Sequence, residues 1–151
     1  MNLAEALSVR KDLQKRIDQL KARVINNVKV QEGDKPAEDP RELMGELDDC
    51  LKQLQDLIFR INATNMATQS EGHTLTEMMA QRDVLSKRIQ VMREICDQAA
   101  GTQERYSLSE IKTVITIDVK TLHKQIDKLS AELRKLDIKI QGLNFVTEVL
   151  D

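Results

Sequence analysis

Arg10 and Arg82 are the residues from which chemistry in this sequence would begin. Each falls at the third seam position of an otherwise apolar heptad pattern. A charge on an apolar seam needs a partner, because a buried unpaired charge is very costly. In an up-down-up-down bundle, each arginine would sit roughly 10 Å in from the same end. Asn62 and Asn65 close the second helical segment at that level, and Asp137 and Asn144 approach from the fourth. Two guanidiniums with amides and one carboxylate suit a small anion or a carboxylate ligand. A structural role is the alternative: Arg10 and Arg82 pair with Asp137, Asp83 or a neighbouring subunit and set register. The spacing leaves both open.

Other constellations are weaker. Glu42, Glu46 and Asp49 stand at helical spacing, and Glu94 with Asp97 forms a second acidic pair. Such acids can hold magnesium for nucleotide hydrolysis, since magnesium prefers oxygen ligands. Glu46 and Asp49, however, adjoin the seam residues Leu47 and Cys50 without replacing them, as solvated surface does. The histidines are His73 and His123, and neither has Glu three places before it, as a di-iron bundle requires. No Cys-x-x-Cys suggests a zinc site, and no Gly-rich loop suggests a phosphate cradle. Cys50 and Cys96 lie on apolar faces, where thiols are usually inert. The expectation is no catalytic residue, no metal ligand and no cofactor.

The elements that position these residues follow from periodicity. Leu3, Ala6, Leu13, Ile17, Leu20 and Val24 share one helical seam, which weakens at Asn26-Asn27. Val28-Lys29-Val30-Gln31 alternates like a short strand. Residues 32–40 form a turn-rich loop whose end starts a helix: Asp39 caps, Pro40 takes the first position, and Glu42 stands as the capping-box acid. Leu43, Leu47, Cys50, Leu54, Leu57 and Ile61 make the second seam, widened by Leu51 and Ile58 toward a further neighbour. That helix should end near Asn62-Ala63-Thr64-Asn65. Thr74 and Glu77 read as a capping box for a third helix bearing Leu75, Met78, Leu85, Ile89, Met92, Cys96 and Ala99, stopped by Gly101. Residues 106–117 change character, and Thr113-Val114-Ile115-Thr116-Ile117 is wholly β-branched, which favours a strand. Its predicted partner is the Val28-to-Gln31 segment or a neighbouring subunit. Asp118 caps the fourth helix, with a seam of Val119, Leu122, Ile126, Leu129, Leu133, Leu136, Ile140 and Leu143.

Composition agrees. Aromatics are 2% of the 151 residues, too few for a typical sheet core, so the core is aliphatic as in a helix bundle. Basic and acidic residues, 23 against 25, mix along every segment, and no basic run suggests a nucleic-acid partner. No stretch approaches the ~18 apolar residues that span a membrane, and the first ten residues lack the apolar core of a signal peptide. Two core-like thiols suit a reducing compartment, so a cytoplasmic location is expected.

Several stretches also resemble a known family. They are Leu3-Ala4-Glu5-Ala6-Leu7, Val30-Gln31-Glu32-Gly33, Glu38-Asp39-Pro40, Arg60-Ile61-Asn62-Ala63-Thr64-Asn65, Arg82-Asp83 and Ser109-Glu110-Ile111-Lys112. With Leu143-Asn144-Phe145, where the family usually carries Trp at the last position, they run in order along almost the whole chain. The chain thereby resembles an uncharacterised bacterial family often labelled septicolysin-like. The resemblance implies an α-helical homo-oligomer, with a hexamer as the suggested assembly, and supplies no reaction. Pore formation does not follow, since the sequence has no apolar insertion segment.

The sequence thus predicts a single, mainly α domain over residues 1–151. Four long antiparallel amphipathic helices would form two hairpins in a coiled-coil-like bundle, with a short β-ribbon at one end. The expected role is that of a non-enzymatic structural or interaction protein partnered by copies of itself. A ligand-binding oligomer comes second, and a magnesium-dependent hydrolase third.

Overall fold

The computed structural model describes residues 1–101 and 112–151. Four long helices dominate: α1 (Leu3–Asn27), α2 (Pro40–Ala67), α3 (Leu75–Ala100) and α4 (Val119–Val146). Two short strands, β1 (Gln69–Ser70) and β2 (His73–Thr74), pair antiparallel between α2 and α3. The mainly α class with a short ribbon is therefore as the periodicity predicts. The chain divides into two compact units, residues 1–76 with 141–151, and residues 77–140.

In the first unit α1 and α2 form an antiparallel hairpin. Leu20, Leu43 and Cys50 are buried at its centre, flanked by Leu13, Ile17, Val24 and Leu47. These are the predicted seam residues, and their burial supplies most of the drive for pairing, at about 1.5–3 kcal/mol for each large side chain. The helix ends are fixed by local chemistry. Asn2 caps α1 by accepting the Glu5 N–H at 2.9 Å, while Glu5 accepts the Asn2 N–H in return. Asp39 accepts the Arg41 N–H at 2.9 Å, and Pro40 opens α2. At the loop end of the hairpin the Asn27 side chain donates to the Arg23 carbonyl and accepts the Glu38 N–H. Arg23 is also ion-paired with Glu38. That pairing holds the Glu38 carboxyl below its usual range.

The opposite end of this unit is closed by the chain's last residues. The Leu3 N–H donates to the Thr147 carbonyl and the Val149 N–H to the Met1 carbonyl, both at 2.9 Å. The Met1 amine meets Glu148 at 2.8 Å. Val149 is buried here, as are Leu3, Ala6 and Ile61.

In the second unit α3 and α4 run antiparallel around Ile89, Met92, Cys96 and Ile126, with Leu85, Val119, Leu122, Leu129 and Leu133 against them. Asp118 accepts the Thr121 N–H at 3.2 Å and caps α4 as expected. The Thr121 hydroxyl, which donates to the same carboxylate at 2.6 Å, and this backbone bond hold its pKa below the ordinary value.

Local readings fail in two places. No strand forms at 28–31 or at 113–117, and Val30, Val114 and Ile115 are exposed. Residues 106–111 of the predicted change of character lie outside the described residues, as do Ser109, Glu110 and Ile111 of the resemblance. The ribbon instead follows α2, which continues to Ala67 rather than ending at 62–65. Its turn is Glu71-Gly72, with φ values of 52° and 83°. Two consecutive positive φ angles match the twist of antiparallel strands, so two residues suffice to reverse the chain.

Candidate functional site

The six residues singled out by sequence fall into both units. Arg10, Asn62, Asn65 and Asn144 belong to the first, Arg82 and Asp137 to the second.

In the second unit the structure brings two of them together. The Arg82 guanidinium lies 3.8 Å from Asp137 across the α3–α4 hairpin and 3.0 Å from its neighbour Asp83. The Arg82 side chain is 31% exposed and that of Asp137 44%. The charge is thus met by two carboxylates while still wetted, an arrangement worth little in stability but able to fix helix register.

In the first unit the level predicted for Arg10 changes. Arg16 lies 3.6 Å from Glu46 and sets the register of α1 against α2. Moving six residues along α1 from Arg16 to Arg10 brings α2 to Lys52. Asn62 is ten residues further, or roughly 15 Å along the axis. Asn62 and Asn65 therefore do not stand level with Arg10, because this register carries the end of α2 past the start of α1. Asn65 is 8% exposed, Asn62 is exposed, and Asn144 and Arg10 are half-buried. Arg10 has no hydrogen bond or ion pair among the described residues.

Two residues beside these amides went unmarked. Thr64 is 1% exposed; its hydroxyl donates to the Arg60 carbonyl at 2.7 Å and accepts the Leu150 N–H at 3.0 Å. Arg60 donates to the Leu150 carbonyl at 2.9 Å and meets the Asp151 carboxylate at 3.2 Å. Both lie in the run from Arg60 to Asn65 that carries the resemblance. Its chemistry is the fastening of the terminal segment to α2. A threonine three places past Ile61, on the next step of the seam that runs through Leu57 and Ile61, was the available signal.

The acidic residues weighed for magnesium are dispersed. Glu46 pairs with Arg16, Asp49 lies 4.0 Å from Lys52, and Glu94 accepts the Gln90 amide at 3.1 Å. Among the described residues, no three His, Cys, Asp or Glu side chains gather as metal ligands. Cys50 and Cys96 are free and buried, one in each unit's core. No helix among the described residues is long and apolar enough to cross a membrane.

No functionally curated protein matches the chain. A solved structure described as a functionally unknown conserved protein from Corynebacterium diphtheriae is 43% identical, with a TM-score of 0.91 over 99% of each chain. The model of DUF6847, a family of unknown function, matches residues 10–149. The chain therefore belongs to DUF6847.

Proposed function

We propose that the chain is a non-enzymatic interaction protein that assembles with copies of itself through the outer face of α2. One observation carries this reading. Met44, Leu51 and Ile58 recur every seven residues on α2 and are 53%, 44% and 38% exposed, beside Phe59 at 71%. A seven-residue apolar repeat turned about 100° from the buried Leu43, Cys50 and Leu57 is a second helix-packing seam. Intrachain packing leaves it to water.

Magnitudes favour more than one contact. Each of these side chains is about half exposed, so covering it would contribute roughly 1 kcal/mol. Eight across a twofold contact give about 6–12 kcal/mol gross, similar to the ~4–15 kcal/mol cost of association. Such a contact is marginal alone. On α3, Val84 and Val91 repeat the spacing at 70% and 41% exposure, with Ile95 at 44%. A second face supports a closed assembly larger than a dimer, in line with the hexamer implied by the septicolysin-like resemblance.

The pairing of Arg82 with Asp83 and Asp137 supports a structural role for that arginine. Two free buried thiols are compatible with a cytoplasmic setting. Sedimentation velocity of Leu51→Glu/Ile58→Glu beside the parent protein tests the assembly face. The expected result is a smaller species with unchanged far-UV circular dichroism. An unchanged sedimentation coefficient in the variant would overturn the choice of face.

A further inference from the structure

The second unit also holds a groove whose lining mixes polar and apolar side chains. It lies between α3 and α4, has a volume of about 370 Å³, and is lined by Ser86, Gln90, Arg93, Glu94, Ser130 and Arg134 around Ile89 and Leu133. The Ser130 hydroxyl is buried and has no hydrogen-bond partner among the described residues. Leaving such a group unsatisfied costs about 1–3 kcal/mol. Arg93 and Arg134 are exposed and have no ion-pair partner among the described residues.

Register places these groups around one point. Arg82 stands against Asp137. Seven residues inward on each helix bring Ile89 level with Ser130. Arg93 is four residues past Ile89 on α3, and Arg134 is four past Ser130 on the opposing α4, each about 6 Å away on opposite sides. Helical side chains slant toward their own N-terminus. Both arginine stems therefore slant back toward the Ser130 level from either side.

We propose that this groove binds a small dianion, a phosphate ester or a dicarboxylate, whose oxygens are held between Arg93 and Arg134 and reach the Ser130 hydroxyl. Two guanidiniums supply charge-assisted, fork-shaped donation to paired oxygens. Gln90 already donates to Glu94 at 3.1 Å, so the Glu94 carboxylate is oriented within the groove wall. It disfavours additional negative charge there and can accept from a hydroxyl or amino group on the ligand. The volume suits a metabolite-sized molecule. This proposal is independent of the assembly face on α2.

The test titrates the full chain, in whatever assembly it forms, with inorganic phosphate and with succinate in chloride-free buffer. Amide and arginine side-chain NMR shifts are followed alongside calorimetry. Saturable binding of either probe is expected, with shifts confined to residues 86–94 and 130–134. Arg93→Gln and Arg134→Gln should each weaken it at least about tenfold, the loss of one charge-assisted pair. Ser130→Ala keeps both charges and should weaken it severalfold; it serves if either arginine variant fails to fold. Binding of phosphate alone or succinate alone supports the site and identifies the dianion class. The proposal is overturned if neither probe saturates by about 10 mM, if shifts map elsewhere, or if the variants bind like the parent.

Discussion

Replacing Thr64 by valine keeps the shape of a side chain that is 1% exposed and removes its oxygen. The lost donation to the Arg60 carbonyl matters little, because that carbonyl lies within the α2 backbone ladder. The Leu150 N–H, however, loses its acceptor in a part-buried position. An unsatisfied donor there should cost about 1–2 kcal/mol. At roughly 2–4 °C per kcal/mol for a chain of this length, Tm should fall by about 2–8 °C. Thermal circular dichroism gives the first number, and hydrogen exchange at the Leu150 amide gives the local one. Thr64→Ser retains the oxygen and should keep much of that protection. Equal Leu150 protection in Thr64→Val and the parent would refute the reasoning, because the hydroxyl would then not hold the terminal segment.

Leu20→Ala should cost about 2–5 kcal/mol by opening a cavity beside Leu43 and Cys50, whereas Ile138→Ala, at a side chain 70% exposed, should cost under about 0.5 kcal/mol; urea titration compares them. Arg82→Met should lower the stability of the α3–α4 hairpin by less than about 1 kcal/mol, since Asp83 and Asp137 stay wetted when their partner leaves. A larger loss in denaturant would contradict a solvent-wetted pair of low strength. Glu148 raises the pKa of the Met1 amine above 8.0 through a hydrogen bond and its charge. That contribution is full below the unfolded pKa and is lost as pH rises through the folded one, so melting should fall between neutral and alkaline pH more in the parent than in Glu148→Gln. Asp118 has the opposite sign: its pKa is lowered from 3.8 by bonds from Thr121, so its cap is lost as pH falls through the folded value, and Asp118→Asn should flatten the acid limb of the melting curve.

The helical elements were legible because their evidence is periodic and redundant. One misread residue does not erase a seam such as Leu13, Ile17, Leu20 and Val24, and Asp39-Pro40 and Asp118 mark helix starts by local chemistry alone. The ribbon was misplaced because β-propensity does not specify a partner. The β-branched run 113–117 forms no strand, while Gln69–Ser70 and His73–Thr74 pair because the Glu71-Gly72 turn adopts positive φ twice. Glu-Gly is a weaker hairpin signal than Asn-Gly or Asp-Gly, so the turn reads as an ordinary loop. The end of α2 was set too early for a related reason: Asn62, Thr64 and Asn65 have poor helix propensity, but burial of Ile61, Thr64 and Asn65 carries the helix on to Ala67. The Arg16–Glu46 register, which sets Lys52 level with Arg10, places Asn62 and Asn65 past the start of α1. The Arg82–Asp137 contact was readable because Arg82 occupies a seam position of α3 and Asp137 adjoins the α4 seam residue Leu136. The Ser130 groove was not, because a serine beside Leu129 and Leu133 carries no periodic mark of its own.

Native mass spectrometry of the untagged protein, purified without chelators, tests the assembly claim most directly. One discrete oligomer larger than a dimer is expected, in which the Met44, Leu51 and Ile58 face of α2 is covered. A clean monomer at micromolar concentration would contradict it and leave that face without the partner assigned to it here.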